Sequence, residues 1–299
     1  MHSLRYHAVH GVVKALSLLP FGVLFALSDV LYVLLYHVVR YRRRLVRRNL
    51  TESFPDKSAH QIVAIERKFY RYFADMILES CKLLSISPDK MRRRMRFVNI
   101  DLLNAMLAQG QTVSAFLGHY GNWEWTSSSG LWVDERATVV QVYHQLRNAA
   151  IDRVVRQMRE RMGNICLDMH KTARFAFEAV SGDKPYVLGL IADQSPRYRE
   201  VKDYLRFLNH DVPVLTATER LTKRYGFGAI YVSLRRVGRG RYDCVLSRLA
   251  DDPASLPDYE LTRRYYALLE QDIQRQPECY LWSHNRFKYA KQPASAARP

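Results

Sequence analysis

Hydrophobic positions along this chain of 299 residues follow three different patterns. From Ala15 to Val39 the sequence is almost continuously apolar, and Asp29 carries the only formal charge. From 58 to 84 apolar residues recur at helical spacing, which predicts one amphipathic helix. From about residue 97 onwards, short apolar runs alternate with helical segments. The chain is therefore expected to begin with an apolar segment and to continue into a globular part.

The alternation of strands and helices in the third part predicts an α/β domain whose central, mostly parallel sheet is flanked by helices. Residues 194–213 are polar and rich in turn formers, so we expect a loop there. The predicted strands lie at 112–118, 137–143, 164–168 and 185–193, and a later hairpin turns at Gly238–Gly240.

The apolar N-terminal segment is long enough to cross a bilayer as a helix, which takes about 20 residues. It is too long for a signal peptide, and no small-residue cleavage site follows it. Pro20 and Asp29 weaken a simple span, because one charge at mid-membrane costs roughly 2.5–3.5 kcal/mol. A tilted span with Asp29 facing protein, a hairpin within one leaflet, and a buried soluble helix remain open. We expect membrane attachment.

These patterns divide the chain into four parts. We expect an N-terminal membrane anchor (1–40), a basic and amphipathic helical segment (41–96), an α/β domain (97–289) and a disordered tail (290–299).

The net charge of the chain indicates which class of partner it binds. The chain has 46 Lys and Arg against 29 Asp and Glu, a net charge of +17, which indicates an anionic partner. Six arginines directly follow the apolar segment, at positions 40, 42, 43, 44, 47 and 48. This bias places the body in the cytoplasm and suits anionic headgroups. No nucleic-acid motif accompanies it, so we expect lipid and not nucleic acid. Four scattered cysteines and unspaced histidines predict neither disulfides nor a metal site.

The run FLGHYGNWEW (116–125) carries the candidate chemistry, because it lies where an apolar strand ends and a helix should begin. Gly121 permits a turn between His119 and Glu124, so the carboxylate can hydrogen-bond the imidazole. Such a pair suits a general base for a hydroxyl group. Asn122 can cap the helix, and the amides of Gly121 and Asn122 can bind an oxyanion or a phosphate. Spacing alone leaves purely structural roles equally open.

The block His119–Glu124 resembles the HxxxxE block of the lipid A biosynthesis acyltransferases, the lauroyl/myristoyl family of Gram-negative bacteria. Its wording, GHYGNWEW together with IADQSP, is most similar to Bacteroidetes-type members. Further blocks agree in order from about residue 10 to residue 288: Tyr41–Arg44, Arg48–Leu50, Ser53–Pro55, Ile191–Gln194, Asn209–Gly226 and Tyr280–Lys288.

This resemblance implies transfer of a fatty acyl chain from acyl carrier protein to a hydroxyl of a lipid A precursor, at the cytoplasmic side of the inner membrane. His119 would be the general base and Glu124 would orient it, with no covalent acyl-enzyme. Either Arg159 or Arg161 would match the family's functional arginine. Acyl carrier protein would be a partner and its thioester the donor, without a further cofactor. Asp193 and Gln194 would face the same cleft, and together with Asn122 would contact substrate.

One departure affects the acceptor. Where the family pattern has an arginine after the tyrosine of the second strand, this chain has Tyr143-His144. An acyltransferase for another lipid, an aminolipid or a lysophospholipid, is therefore the alternative. A non-catalytic scaffold that binds acyl carrier protein predicts loss of the His–Glu pair, whereas both residues are present.

Overall fold

The computed structural model describes residues 2–196, 201 and 203–291. Seven strands form one sheet in the order β1-β9-β8-β2-β5-β3-β4, and β6 pairs with β7 in a separate hairpin. The strands are β1 (Met95–Val98), β2 (Val113–Leu117), β3 (Thr138–Tyr143), β4 (Ile165–Asp168), β5 (Tyr186–Ile191), β6 (Tyr204–Phe207), β7 (His210–Pro213), β8 (Gly228–Gly238) and β9 (Arg241–Ala250).

Helices cover both faces of the sheet, and five of them precede its first strand in the chain. They are α1 (His2–Leu18), α2 (Phe21–Val33), α3 (Arg43–Ser53), α4 (Ala59–Cys81), α5 (Pro88–Arg92), α6 (Ile100–Ala108), α7 (Ala149–Glu160), α8 (Thr172–Val180), α9 (Ala217–Arg224) and α10 (Glu260–Arg275). A π-helical turn, Leu34–Val38, extends α2, and a 3₁₀ helix, Trp123–Leu131, follows β2.

The predicted α/β class with a mostly parallel sheet is confirmed. Every neighbouring pair in the large sheet is parallel except β8 with β9, which form the expected hairpin. β2 is buried along its whole length because it lies in the middle of the sheet. Its continuous apolar sequence is typical of a parallel strand covered on both faces.

One local expectation, the loop at 194–213, needs correction, and two predicted boundaries can be compared with the structure. The segment 194–213, expected to be a loop, contains the β6–β7 hairpin among its described residues. The short strand β1 pairs with β9 and crosses the boundary placed between 96 and 97. Most of the expected tail lies outside the described residues, but Lys291 forms a bridge with Asp211, so the ordered chain continues past 290. Strands of four residues, such as β6 and β7, are too short to show a clear periodicity in the sequence.

The predicted amphipathic helix is α4, and Ser58 is its N-cap residue. The Ser58 hydroxyl accepts a hydrogen bond from the backbone N–H of Gln61, and the Gln61 side-chain oxygen accepts one from the backbone N–H of Ser58. This capping box satisfies two backbone groups that a helix start leaves unpaired. The inward face of α4 is not purely apolar, because Glu66, Asp75 and Glu79 are buried on it.

The apolar N-terminal segment forms two helices that bend at Leu19 and Pro20. One stretch, Phe21–Val38, is long and apolar enough to cross a membrane, and 22% of it is buried against the rest of the protein. Asp29 is ion-paired with Arg239 at 2.7 Å. This ion pair ties the one charge of the segment to the β8–β9 hairpin, while 62% of the Asp29 side chain stays exposed.

Candidate active site

The candidate site lies at the carboxyl ends of β2 and β5, two parallel neighbours in the sheet. Leu117 pairs with Ile191 in the register of these strands. His119 and Asp193 each follow two residues later, so the two loops leave the sheet at the same level. This edge is where α/β proteins commonly bind ligands.

The loop after β2 turns sharply at Gly121, whose φ is +60°. A side chain there would be strained, and a Cβ atom would lie 2.5 Å from the carbonyl oxygen of Leu234. The Gly121 amide donates to the carbonyl of Cys279 at 3.0 Å. This amide, expected to be available to an oxyanion, is therefore already used within the protein.

His119 is held by two side chains from the loop after β5. Its Nδ1 lies 2.7 Å from Oδ1 of Asp193, and its Nε2 lies 3.1 Å from the amide nitrogen of Gln194. A carboxylate accepts only, so Nδ1 carries the proton and Nε2 presents its lone pair. The Gln194 amide donates to that lone pair. This tautomer is the one that a general base acting through Nε2 requires.

Asp193 is nearly inaccessible, with 2% of its side chain exposed. Burial by itself would raise its pKa, but the charge and hydrogen bonds of His119 outweigh burial and lower the pKa of Asp193 below its ordinary value. Tyr280 donates a further hydrogen bond, and buried Arg286 adds positive charge nearby. Asp193 therefore stays ionised and fixes the imidazole.

Glu124 does not take the expected position beside the imidazole. Its carboxylate binds Arg159 through two hydrogen bonds, of 2.7 and 2.9 Å, and accepts a third from the Trp123 indole at 3.2 Å. Burial would raise the pKa of Glu124, yet the charge and hydrogen bonds of Arg159 lower it overall. The residue hydrogen-bonded to His119 is thus Asp193, because the β5 loop brings it to Nδ1.

The structure separates the two candidate arginines. Arg159 lies in the last turn of α7 and reaches Glu124. Arg161 follows the end of that helix on a different face, and its guanidinium donates to the carbonyls of Leu83 and Ile86. Arg159 therefore belongs to the site, whereas Arg161 joins α7 to the segment after α4.

Asn122, expected to contact substrate, is fully buried and is occupied at both ends of its amide. Its oxygen accepts from the Trp125 backbone at 3.3 Å, which is the expected cap, and its nitrogen donates to Glu79 at 2.9 Å. Trp125 also donates its indole N–H to the Glu79 carbonyl. Asn122 thus anchors the loop to α4 and does not face the cavity.

Glu79 is a supporting residue that sequence analysis missed. It is fully buried and accepts hydrogen bonds from Asn122 and from the Tyr242 hydroxyl, at 2.9 and 2.7 Å. Burial raises the pKa of Glu79 despite these donors. An acidic residue at helical spacing within the apolar face of α4 was the available signal.

Two tyrosines of α10 donate hydrogen bonds to the ends of the strands that carry the site. Tyr265 donates to the carbonyl of Leu117, the last residue of β2, at 2.8 Å. Tyr266 donates to the carbonyl of Ala192, just after β5, at 3.0 Å. These bonds satisfy the strand ends that carry His119 and Asp193, and hold both loops against α10.

The site opens into a cavity of about 1110 Å³. Its deeper part lies between the sheet and α6 and is lined by apolar side chains: Phe97, Leu103, Val133, Val139, Val232 and Leu246. Its mouth carries His119, Glu124, Arg159 and Gln194, together with basic side chains of α9. A large apolar cavity with a few polar groups at its mouth is suited to a long hydrocarbon chain with a polar head.

A comparison with protein families decides the broader assignment. A family model described as bacterial lipid A biosynthesis acyltransferase matches residues 1–289. The chain belongs to this family. No curated protein matches it.

Membership in the lipid A biosynthesis acyltransferase family makes this chain a lipid acyltransferase. The polar mouth of the cavity joins an imidazole base, a permanently charged guanidinium and an amide donor. Such a set can remove a proton from an attacking hydroxyl and stabilise a negative oxygen, the two requirements of direct acyl transfer.

Proposed function

We propose that this acyltransferase moves a fatty acyl chain from an acyl-carrier-protein thioester to a hydroxyl group of a lipid A precursor, at the cytoplasmic face of the inner membrane. The acceptor hydroxyl binds beside Nε2 of His119. The acyl chain of the donor extends into the apolar cavity between the sheet and α6.

In the proposed reaction His119 Nε2 takes the proton of the hydroxyl as its oxygen attacks the thioester carbonyl. The carbon–sulfur bond then breaks, and the leaving thiolate takes the proton from the imidazolium. An ester and a free thiol result, without a covalent acyl-enzyme. Asp193 stabilises the imidazolium through Nδ1. Gln194 turns its amide from the imidazole to the reacting oxygen.

One observation carries this proposal: an imidazole whose Nδ1 is fixed by a buried carboxylate and whose Nε2 lies at the mouth of a large apolar cavity. Arg159, held by Glu124, is assigned to the negative charge of the donor phosphate or of the developing oxyanion. The role of Glu124 is accordingly to position Arg159.

His144 is the observation that favours a second class of acceptor lipid. It replaces an arginine of the family pattern, it is exposed, and it lines the cavity mouth opposite His170, with ring centroids 6.3 Å apart. Histidines carry less positive charge than arginine near neutral pH, which suits a less anionic headgroup. The alternative acceptor is an aminolipid or a lysophospholipid, acylated by the same residues.

Mass spectrometry of total lipid tests both. Cells lacking this protein are complemented with wild type, His119→Ala, or His60→Ala as a control on the exposed surface of α4. We expect lipid A to lose one acyl chain, and only wild type and His60→Ala to restore it. Loss of a chain from another lipid would favour the alternative acceptor. Restoration by His119→Ala would contradict the proposed base.

A further inference from the structure

The outward faces of the two N-terminal helices form an apolar surface that is not covered by described residues. On α2 and its π-helical extension the exposed residues recur along one side: Val23, Leu27, Val30, Leu34 and Val38. On α1 the residues Leu4, Val12 and Leu18 are also apolar and exposed. We call these eight residues the outer face.

The opposite side of α2 is attached to the charged helix α4 along its whole length. Ser28 donates to Asp75 at 2.6 Å, and Arg71 lies over the Tyr32 ring at 5.1 Å. Just past the end of α4, the Lys82 ammonium nitrogen lies 4.9 Å from the centroid of the Phe21 ring. The two helices run antiparallel, so charged groups of α4 accompany α2 at successive turns.

Charges also surround Asp29 near the middle of α2. Arg239, at the tip of the β8–β9 hairpin, binds both Asp29 and Asp75 at 2.7 Å. Arg236 binds the other oxygen of Asp75 at 2.6 Å. If α2 crossed a bilayer in this packing, the hairpin tip and part of α4 would have to enter the hydrocarbon as well.

Both ends of the apolar segment return to the same body. On α1, Tyr6 donates to Gln157 of α7 at 3.0 Å, and Lys82 binds the Ser17 carbonyl at 2.7 Å. After α2, Arg42 donates to the Ser283 carbonyl at 2.9 Å. A spanning helix must place its two ends about 30 Å apart on opposite sides of the hydrocarbon.

We propose that α1 and α2 lie in the plane of one leaflet and do not cross the membrane. The outer face enters the acyl region, while α4 and the hairpin remain on the aqueous side. The occupant of this face is an anionic phospholipid leaflet, because four exposed arginines follow the apolar stripe directly: Arg40, Arg42, Arg44 and Arg48. Apolar residues next to such a cluster are typical of interfacial helices.

This inference deepens the proposed membrane attachment and is independent of which lipid accepts the acyl chain.

Site-directed labelling with a membrane-impermeant maleimide tests the topology in the full chain. Arg5→Cys and Asp56→Cys place exposed thiols before and after the apolar segment, and wild type gives the background of the natural cysteines. We expect both variants to be labelled in inside-out vesicles and neither in intact spheroplasts. Labelling of Arg5→Cys only from the periplasmic side would establish a span and overturn the proposal. Recovery of the protein in the soluble fraction would instead contradict membrane attachment itself.

Binding to lipid vesicles tests whether an anionic phospholipid leaflet covers the outer face. Val30→Asp combined with Leu34→Asp removes apolar contact on the outer face, and Phe177→Asp is the matched control because Phe177 of α8 is equally exposed. On phosphatidylglycerol-containing vesicles the double variant should bind at least about tenfold more weakly, and the control should match wild type. Unchanged vesicle binding, with a dimer converted to a monomer, would assign the face to a second copy of the chain.

Discussion

Two carboxylate pairs border the mouth of the cavity, and they differ in kind. Asp193 pairs with His119, whose imidazole Nε2 carries a lone pair that can accept a proton. Glu124 pairs with Arg159, whose guanidinium keeps its charge at any pH that the fold tolerates. Asp193 has 2% of its side chain exposed and Glu124 has 17%.

This difference separates the two tasks of acyl transfer. The pair formed by Asp193 and His119 can pass a proton, because the imidazole can accept one at Nε2 while Asp193 stays ionised. The pair formed by Glu124 and Arg159 can only hold a positive charge in place, which suits a phosphate or an oxyanion. The following substitutions test this division, from the largest expected effect to the smallest.

His119→Ala should lower kcat by roughly 10²–10⁴-fold, because it removes the only proposed proton acceptor. The variant should keep its fold but lose thermal stability, because it leaves the buried carboxylate of Asp193 without its imidazole partner. Steady-state kinetics with purified enzyme, beside circular dichroism of both proteins, measures this. A residual rate within a few-fold of wild type would mean that another group takes the proton.

Asp193→Asn and Glu124→Gln should differ in their kinetic signature. Asp193→Asn removes the charge that stabilises the imidazolium, so kcat should fall roughly 10–100-fold with KM little changed. Glu124→Gln leaves the base intact and loosens Arg159, so KM for the acyl donor should rise as well. Equal kcat and KM profiles for the two variants would contradict the division of tasks.

The same two carboxylates should support stability at neutral pH. Each has a pKa in the folded state below its ordinary value, so the folded state binds fewer protons than the unfolded state as the pH falls. Their contribution is complete above the ordinary carboxyl pKa of about 4 and is lost as the pH falls through the lower folded-state value. Urea unfolding across this pH range should show that the free energy of unfolding of Asp193→Asn falls less steeply with decreasing pH than that of wild type.

Arg159→Lys and Arg161→Lys form a matched pair on one helix end. Arg159→Lys loses the bidentate pair of hydrogen bonds to Glu124, so kcat/KM should fall about tenfold. Arg161→Lys should leave kcat/KM unchanged and lower the free energy of unfolding by about 1 kcal/mol, because it bonds only backbone carbonyls. Loss of activity in the second variant would reassign the functional arginine.

Glu79 gives the most selective effect, because only one of its two variants should lose activity. Its pKa is raised by burial, so ionising it costs folding energy as the pH rises, opposite in sign to Asp193. Glu79→Gln keeps an oxygen for Asn122 and Tyr242 and should be active and at least as stable near neutral pH. Glu79→Ala should lower kcat by about tenfold through the displaced loop, with donor KM unchanged. Equal kinetics in both variants would limit Glu79 to a structural role.

Much of the fold was predictable because periodicity is local. The strands β2, β3, β4 and β5 lie within a few residues of their predicted positions, and helices alternate with them as expected. The pairing of charges was less predictable, since Asp193 and His119 are 74 residues apart and meet only through the β2–β5 register. Spacing along the chain favoured Glu124, which is close in sequence, but a local pattern carries no information about a neighbouring strand.

The amino-acid sequence by itself determined the α/β class, the family blocks and the adjacency of an apolar segment to an arginine cluster, because composition, periodicity and motif order are properties of a linear chain. Tertiary structure alone decided which carboxylate binds His119 and which arginine reaches the cavity. It also decided that α2 packs one face against charged α4 and leaves the other uncovered. These outcomes depend on strand register and helix packing, which bring together residues that no spacing in the sequence connects.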